Sequence, residues 1–153
     1  MAEIKSTAKT SISYGDTAVD GLLGGALGGG LMAIYLIIAG LIGGDGVGVI
    51  MARFAPPGNS SPLVGTVAHL AVSAIYGVIF ALALVVIGRL WPQTSKLSWI
   101  LGAIYGLTLW LVAEFIVLPA VDSPLQMIQP VHFALAHLVY GLTLGLIIGR
   151  SNR

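Results

Sequence analysis

Four long stretches of this chain contain no Asp, Glu, Lys or Arg: residues 21–44, 54–88, 97–113 and 123–149. Each is rich in Leu, Ile, Val, Ala and Gly, and about 20 mostly apolar residues cross the hydrocarbon core of a bilayer as a helix. A segment in lipid must satisfy its own backbone N–H and C=O groups, which a helix does without partners. The composition leads to the same place. Seven Lys or Arg and six Asp or Glu in 153 residues cannot cover a soluble domain, where about a quarter of residues are charged. The expected class is all-α: a polytopic membrane four-helix bundle over 21–150, preceded by a polar N-tail over 1–20.

Turn chemistry sets the limits of the spans at about 22–43, 64–88, 97–118 and 131–149. Gly43-Gly44-Asp45-Gly46 ends the first, and Pro56-Pro57-Gly58-Asn59 with Ser61-Pro62 precedes the second. Arg89 and Trp91-Pro92 close the second, Pro119 closes the third and Pro130 opens the fourth, since proline interrupts the helical hydrogen-bond ladder. Four spans put the N-tail, the 89–96 loop and the C-tail on one side, with Lys5, Lys9, Arg89, Lys96, Arg150 and Arg153. The other side has Arg53 alone. Basic residues stay inside, so both termini are expected in the cytoplasm of a bacterial inner (plasma) membrane. The opposite loops, 44–63 and 119–130, are apolar enough to lie along the interface, and Asp122 or Ser123 followed by Pro124 has the form of a cap and first position of a short helix.

The absence of cysteine excludes disulfides, thiolate metal sites, iron–sulfur clusters, c-type haem and a lipoprotein anchor. A net charge of +1 without a basic cluster leaves no footprint for nucleic acid. No HExxH, GxSxG or phosphate-binding glycine loop is present, and a non-enzyme is expected. The first apolar run follows twenty more polar residues without a small-x-small cleavage site, so no cleaved signal peptide is expected.

Helices in lipid associate through close backbone approach at small residues. The second span carries His69, Ser73, Gly77 and Ala81 at four-residue spacing, the fourth His137, Gly141, Gly145 and Gly149, and the third Gly102, Gly106, Trp110 and Glu114. The first offers Gly24-x-x-x-Gly28 and Gly25-x-x-x-Gly29. These rows predict tight packing toward the cytoplasmic side. His69, Glu114 and His137 fall at similar depth near the opposite rim, with His132 one turn shallower, which predicts a shallow outward polar pocket. Glu114 is the only charge inside a span, and a carboxylate there is costly unless bonded or protonated. His69, His137, Glu114 and His132, with Tyr76 and Tyr140, are the candidate cofactor-binding residues, for haem b or a quinone. No metal site is expected. Recurrent Ala33-Ile34-Tyr35, Ala74-Ile75-Tyr76-Gly77, Ala103-Ile104-Tyr105-Gly106 and Val139-Tyr140-Gly141 would arise from a helical hairpin duplicated once, and His69 and His137 head equivalent glycine-rich faces.

The glycine-rich span 21–44, Ala55-Pro-Pro-Gly58, Ser61-Pro62-Leu63 and the His69…Ala74-Ile-Tyr-Gly77 helix together resemble small uncharacterised bacterial four-helix membrane proteins, a resemblance that implies no activity. A membrane chain with so little polar mass and no catalytic motif is expected to be an accessory, non-catalytic subunit. Its partners would be the lipid bilayer and other subunits of a bacterial membrane complex, one for respiratory or photosynthetic electron transfer. One alternative is a haem- or quinone-binding protein using the His/Glu pocket; another is a proton-coupled transporter or channel using Glu114.

Overall fold

The computed structural model describes residues 13–91 and 93–151. The expected polar tail over 1–20 therefore lies outside the described residues as far as residue 12. From Ser13 onward the chain is already entering a helix. Ser13 accepts a hydrogen bond from the Asp16 N–H at 3.4 Å and caps α1, Tyr14–Ile42. Asp16 lies in the first turn, where the positive end of the helix dipole favours an acid. At 1.5 Å per residue, the 29 residues of α1 span about 43 Å, longer than the hydrocarbon core. The first turns belong to the helix and not to a tail.

Gly44, at φ +90°, turns the chain after α1 in a conformation that only glycine adopts cheaply. A short helix, α2 (Val47–Ala52), follows. Ser61 caps α3, Pro62–Leu90, with Pro62 in the first turn, where the missing N–H costs nothing. α4, Thr94–Val112, runs without interruption through a π turn, Ala113–Val117, into α5, Leu118–Ala120. Ser123 caps a single 3-10 turn, Pro124–Met127, as its sequence suggested. Pro130 opens α6, Pro130–Ser151. Four helical segments are long and apolar enough to cross a membrane: Tyr14–Ile42, Pro62–Leu90, Lys96–Ala120 and Pro130–Ser151. The chain is a four-helix transmembrane bundle. Its terminal end carries the start of α1, the end of α6 and the α3–α4 link; its distal end carries α2 and the 3-10 turn.

Pro119 does not stop the third span. In an α-helix its ring would strike the carbonyl of residue 115, four positions back, and residue 115 lies inside the π turn. Widening that turn, where the Leu118 N–H reaches back to the Ala113 carbonyl, lets the helix continue past the proline to Ala120.

Glycine fixes which helices touch. A methyl group on Gly25 would collide with the Ser73 carbonyl and lie 2.9 Å from the Gly77 Cα, and one on Gly21 would sit 2.7 Å from the Gly77 carbonyl. These are α1–α3 contacts of backbone on backbone. On the adjoining face of α1, Gly24 and Gly28 receive side chains of α6: Leu144 comes to 3.2 Å of a Gly24 Cβ and the Tyr140 ring to 3.1 Å of a Gly28 Cβ. The paired glycines of 21–29 thus serve two neighbours at once. In the second hairpin, Gly102 and Gly106 of α4 lie against Gly141, Gly145 and the His137 carbonyl of α6. The lateral order is α3, α1, α6, α4, with α1 and α6 as the central pair. Between them lies the core of Met32, Leu36, Phe133, Ala136, Tyr140, Leu144 and Ile148.

The two hairpins share one contact pattern, which agrees with the repeated segments of the second and fourth spans but not with those of the first and third. Gly21 and Gly25 approach Gly77 and Ser73 as Gly102 and Gly106 approach Gly141 and His137. Tyr76 and Tyr140, each one residue before the contacted glycine, are therefore counterparts. His137 stands where the first hairpin has Ser73, and the counterpart of His69 is Phe133. The two histidines thus lie on the same face of their hairpins, with His137 one turn nearer the terminal end than the counterpart of His69. Tyr35 follows Gly25 in the chain whereas Tyr105 precedes Gly106, so those two tyrosines are not counterparts either.

At the terminal end, Arg89 bonds the Tyr14 hydroxyl with its guanidinium 5.2 Å from the ring centroid, tying α3 to α1. Ser151 donates to the Asp20 carboxylate, tying α6 to the same helix. At the distal end, Arg53 and Asp45 form an ion pair at 2.8 Å, and the backbone of α2 lies so near α3 that a side chain on Gly65 would collide with the Met51 carbonyl.

Replacing Gly25 or Gly141 by Leu should lower stability in detergent by at least the roughly 1–3 kcal/mol of an overpacked core. Gly30→Leu and Gly88→Leu, where an added Cβ meets nothing within 4 Å, should unfold at the wild-type temperature. Equal shifts for all four would contradict the packing described.

Candidate functional site

The glycine contacts run from mid-bundle toward the terminal end. In the distal half, α3 and α4 diverge, and a cavity of about 230 Å³ lies between them. Ala68, His69, Val72, Ser73 and Tyr76 of α3 form one wall. Leu109, Val112 and Ala113 form the other, continued past the π turn by Val117 and Leu118. Met32 of α1 and Phe133, His137 and Tyr140 of α6 make the back wall, and Phe54 and Leu125 reach in from the distal connections.

The floor is set one turn toward the terminal end, where α3 and α4 meet. The Tyr105 hydroxyl donates to the Tyr76 carbonyl at 2.9 Å, and the Phe80 and Tyr105 rings pack with centroids 5.0 Å apart. Tyr140 donates to the Ser73 carbonyl at 2.7 Å, linking α6 to α3 beneath the cavity. The margins are open. Val72 of α3 is 50 % exposed and Val112 of α4 41 %, so the space communicates sideways with whatever surrounds the bundle, which for a spanning segment is acyl chain.

Both histidines are 9 % exposed, and each has one ring nitrogen committed. His69 Nε2 lies 2.9 Å from the Gly29 carbonyl of α1. His137 Nδ1 lies 2.9 Å from the Phe133 carbonyl one turn back in α6. A carbonyl only accepts, so in both pairs the imidazole donates. Aromatic rings hold the imidazoles in place: Phe54 lies over His69 with centroids 4.3 Å apart, and Phe133 meets His137 edge-on at 4.5 Å. The second ring nitrogen of each histidine has no partner among the described residues. The site thus combines a largely apolar lining with a few polar groups, the usual make-up of a small-molecule pocket.

Of the residues singled out from sequence, His69, His137, Tyr76 and Tyr140 come together here, with Ser73. Glu114 and His132 do not. Glu114 is half-buried in the π turn, makes no hydrogen bond or ion pair with a described residue and is not part of the lining. Helical geometry gives the reason: Leu109, Val112 and Ala113 take the cavity side, and at about 100° per residue Glu114 falls on the far side of the helix from that face. The expectation of a joint His69–Glu114–His137 cluster is corrected accordingly. His132 shares a hydrogen bond of 3.0 Å with the Tyr35 hydroxyl of α1, away from the cavity. Sequence reasoning missed Phe54, Met32 and Phe133. Phe133 was accessible, one turn before His137; Phe54 sits in a loop, where no periodicity marks it.

An engineered apolar cavity of 150 Å³ admits a benzene, so about 230 Å³ accommodates one substituted ring or a group of similar size. A porphyrin, with four pyrrole rings, is too large to be enclosed. Among the described residues no group of three His, Asp or Glu side chains could hold a metal ion.

Tyr140→Phe should cost about 0.6 kcal/mol, and at most about 1.7, the range for hydrogen bonds between membrane helices, when unfolding is followed by steric trapping. A loss near zero would mean that the Tyr140–Ser73 link does not hold α6 to α3.

Comparison with known proteins places the chain in a family. Residues 16–153 match the model of a family described as "Family of unknown function (DUF6789)", and the chain belongs to that family. No curated protein and no solved structure matches it.

Proposed function

We propose that this DUF6789 protein is a membrane ligand-binding protein that holds the ring-sized head of a lipid-soluble molecule of the quinone class between α3 and α4, its tail lying among the surrounding lipids. The observation that carries this reading is the distal cavity with two buried histidines, each with one ring nitrogen unpartnered among the described residues. The lining is apolar enough for a hydrocarbon ring, and its polar groups are few. The half-exposed margins at Val72 and Val112 suit a ligand that arrives from the bilayer, not from water.

The distribution of basic residues supports an orientation. Arg89, Lys96 and Arg150 lie toward the terminal end and Arg53 toward the distal end. Under the positive-inside tendency, the termini face the cytoplasm of a bacterial inner membrane and the cavity opens in the outer leaflet. An accessory place in a larger electron-transfer complex is compatible with a quinone site, but no particular residue argues for it, whereas the cavity argues for a ligand. The transporter reading depends on Glu114, which lies outside the lining.

Protein purified in mild detergent should bind decylubiquinone or its reduced form with one site per chain, as read by equilibrium dialysis. Ala113→Trp, which fills the cavity from α4, should weaken that binding at least tenfold while leaving thermal unfolding within a few degrees of wild type. Failure of both redox forms to bind, or unchanged affinity in the filled variant, would overturn the proposal.

A further inference from the structure

We infer that the cavity selects a head that donates hydrogen bonds, and so takes the reduced, hydroxyl-bearing hydroquinone in preference to the oxidised quinone. The inference rests on the ligand reading above and goes on to the chemical state of the ligand. A neutral imidazole carries one N–H and one lone pair, and the bond made by one nitrogen decides the role of the other. His69 spends its N–H on the Gly29 carbonyl through Nε2, which leaves Nδ1 as an acceptor. His137 spends its N–H on the Phe133 carbonyl through Nδ1, which leaves Nε2 as an acceptor. Different nitrogens are committed on the two rings, yet the result is the same: neither imidazole has a proton left to offer.

The two carbonyls belong to the backbone of different helices, so neither can turn away to release the imidazole. A side chain on Gly29 would meet the Ser73 Cβ and Oγ at 2.5 Å; the glycine lets α3 lie close enough for His69 to reach that carbonyl. The remaining polar groups of the lining do not reverse the preference. The Ser73 and Tyr76 hydroxyls can donate or accept by rotation, and Tyr140 already donates to the Ser73 carbonyl. A quinone brings only carbonyl acceptors, which would face two imidazole lone pairs. A hydroquinone brings two O–H donors, one for each histidine. A buried acceptor set against another acceptor loses its hydrogen bond to water and gains none, and sites built around a buried polar partner discriminate strongly against analogues that lack it.

The test compares durohydroquinone, duroquinone and the dimethyl ether of durohydroquinone, three molecules with the same methylated ring, by equilibrium dialysis against the intact protein. It is run without oxygen at pH 8, above the ordinary imidazole range. The hydroquinone should bind at least tenfold more tightly than the quinone, and the ether, which has oxygens but no O–H, should bind as weakly as the quinone. Equal binding of all three, or tighter binding of the quinone, would overturn the donor inference and leave the ligand reading standing. Binding of none of them would remove both. Because a histidine variant could fail to fold, a second readout uses wild-type protein labelled with 15N in histidine. The imidazole spectra should report the Nε2–H tautomer for His69 and the Nδ1–H tautomer for His137. Hydroquinone should shift only the unprotonated nitrogens, and the opposite tautomer on either ring would overturn the inference.

Discussion

Backbone laid directly on backbone is the contact from which the rest of this molecule follows. Where Gly25 meets Gly77 and Gly106 meets Gly141, a methyl group would fall within about 3 Å of the facing Cα. Lipid gives apolar side chains no hydrophobic reason to seek one another, so packing contacts of this kind hold membrane helices together. α1 has to satisfy two partners, and it does so with two offset glycine rows, Gly21-Gly25-Gly29 toward α3 and Gly24-Gly28 toward α6. α6 mirrors this with Gly141 and Gly145 toward α4 and the larger Tyr140, Leu144 and Ile148 toward α1.

The cavity is the geometric remainder of that arrangement. α3 is bound to α1 and α4 to α6, while α3 and α4 touch chiefly through Tyr105 against Tyr76 and Phe80. Distal to those rings nothing draws the two outer helices together. The small rows end there in the His69 and His137 side chains, the His137 carbonyl still lying against Gly106, and the distal connections roof the space with Phe54 and Leu125. The polar atoms that remain uncommitted in that space are the ones a ligand would meet. Packing and chemistry come from the same rows of residues read at different depths.

Much of this was legible in the sequence, for physical reasons. Charge-free runs are forced by the hydrocarbon core, and they gave the four spans. Glycine and serine at four-residue spacing gave the contact faces, including the doubled row of residues 24–29. The histidines at matching depth gave the site. Three things were not legible. Helix ends beyond the apolar runs, such as Tyr14–Asp20, are set by the Ser13 cap and the Tyr14–Arg89 contact, not by hydropathy. The register of the two hairpins depends on which glycine meets which carbonyl; the repeats at Tyr76-Gly77 and Tyr140-Gly141 follow it, but those at Tyr35 and Tyr105 do not. The π turn that lets the third span continue past Pro119 leaves no mark in the hydropathy pattern.

The central claim, that backbone contact between glycines closes each hairpin, is open to a direct measurement. In protein labelled with 13C glycine and held in detergent micelles, nuclear Overhauser spectra should give cross-peaks between the α-protons of Gly25 and Gly77 and between those of Gly106 and Gly141. Cross-peaks from these glycines to side-chain methyls alone, with none between the α-protons, would mean that the helices stand a side chain apart and that the account of both packing and cavity is wrong.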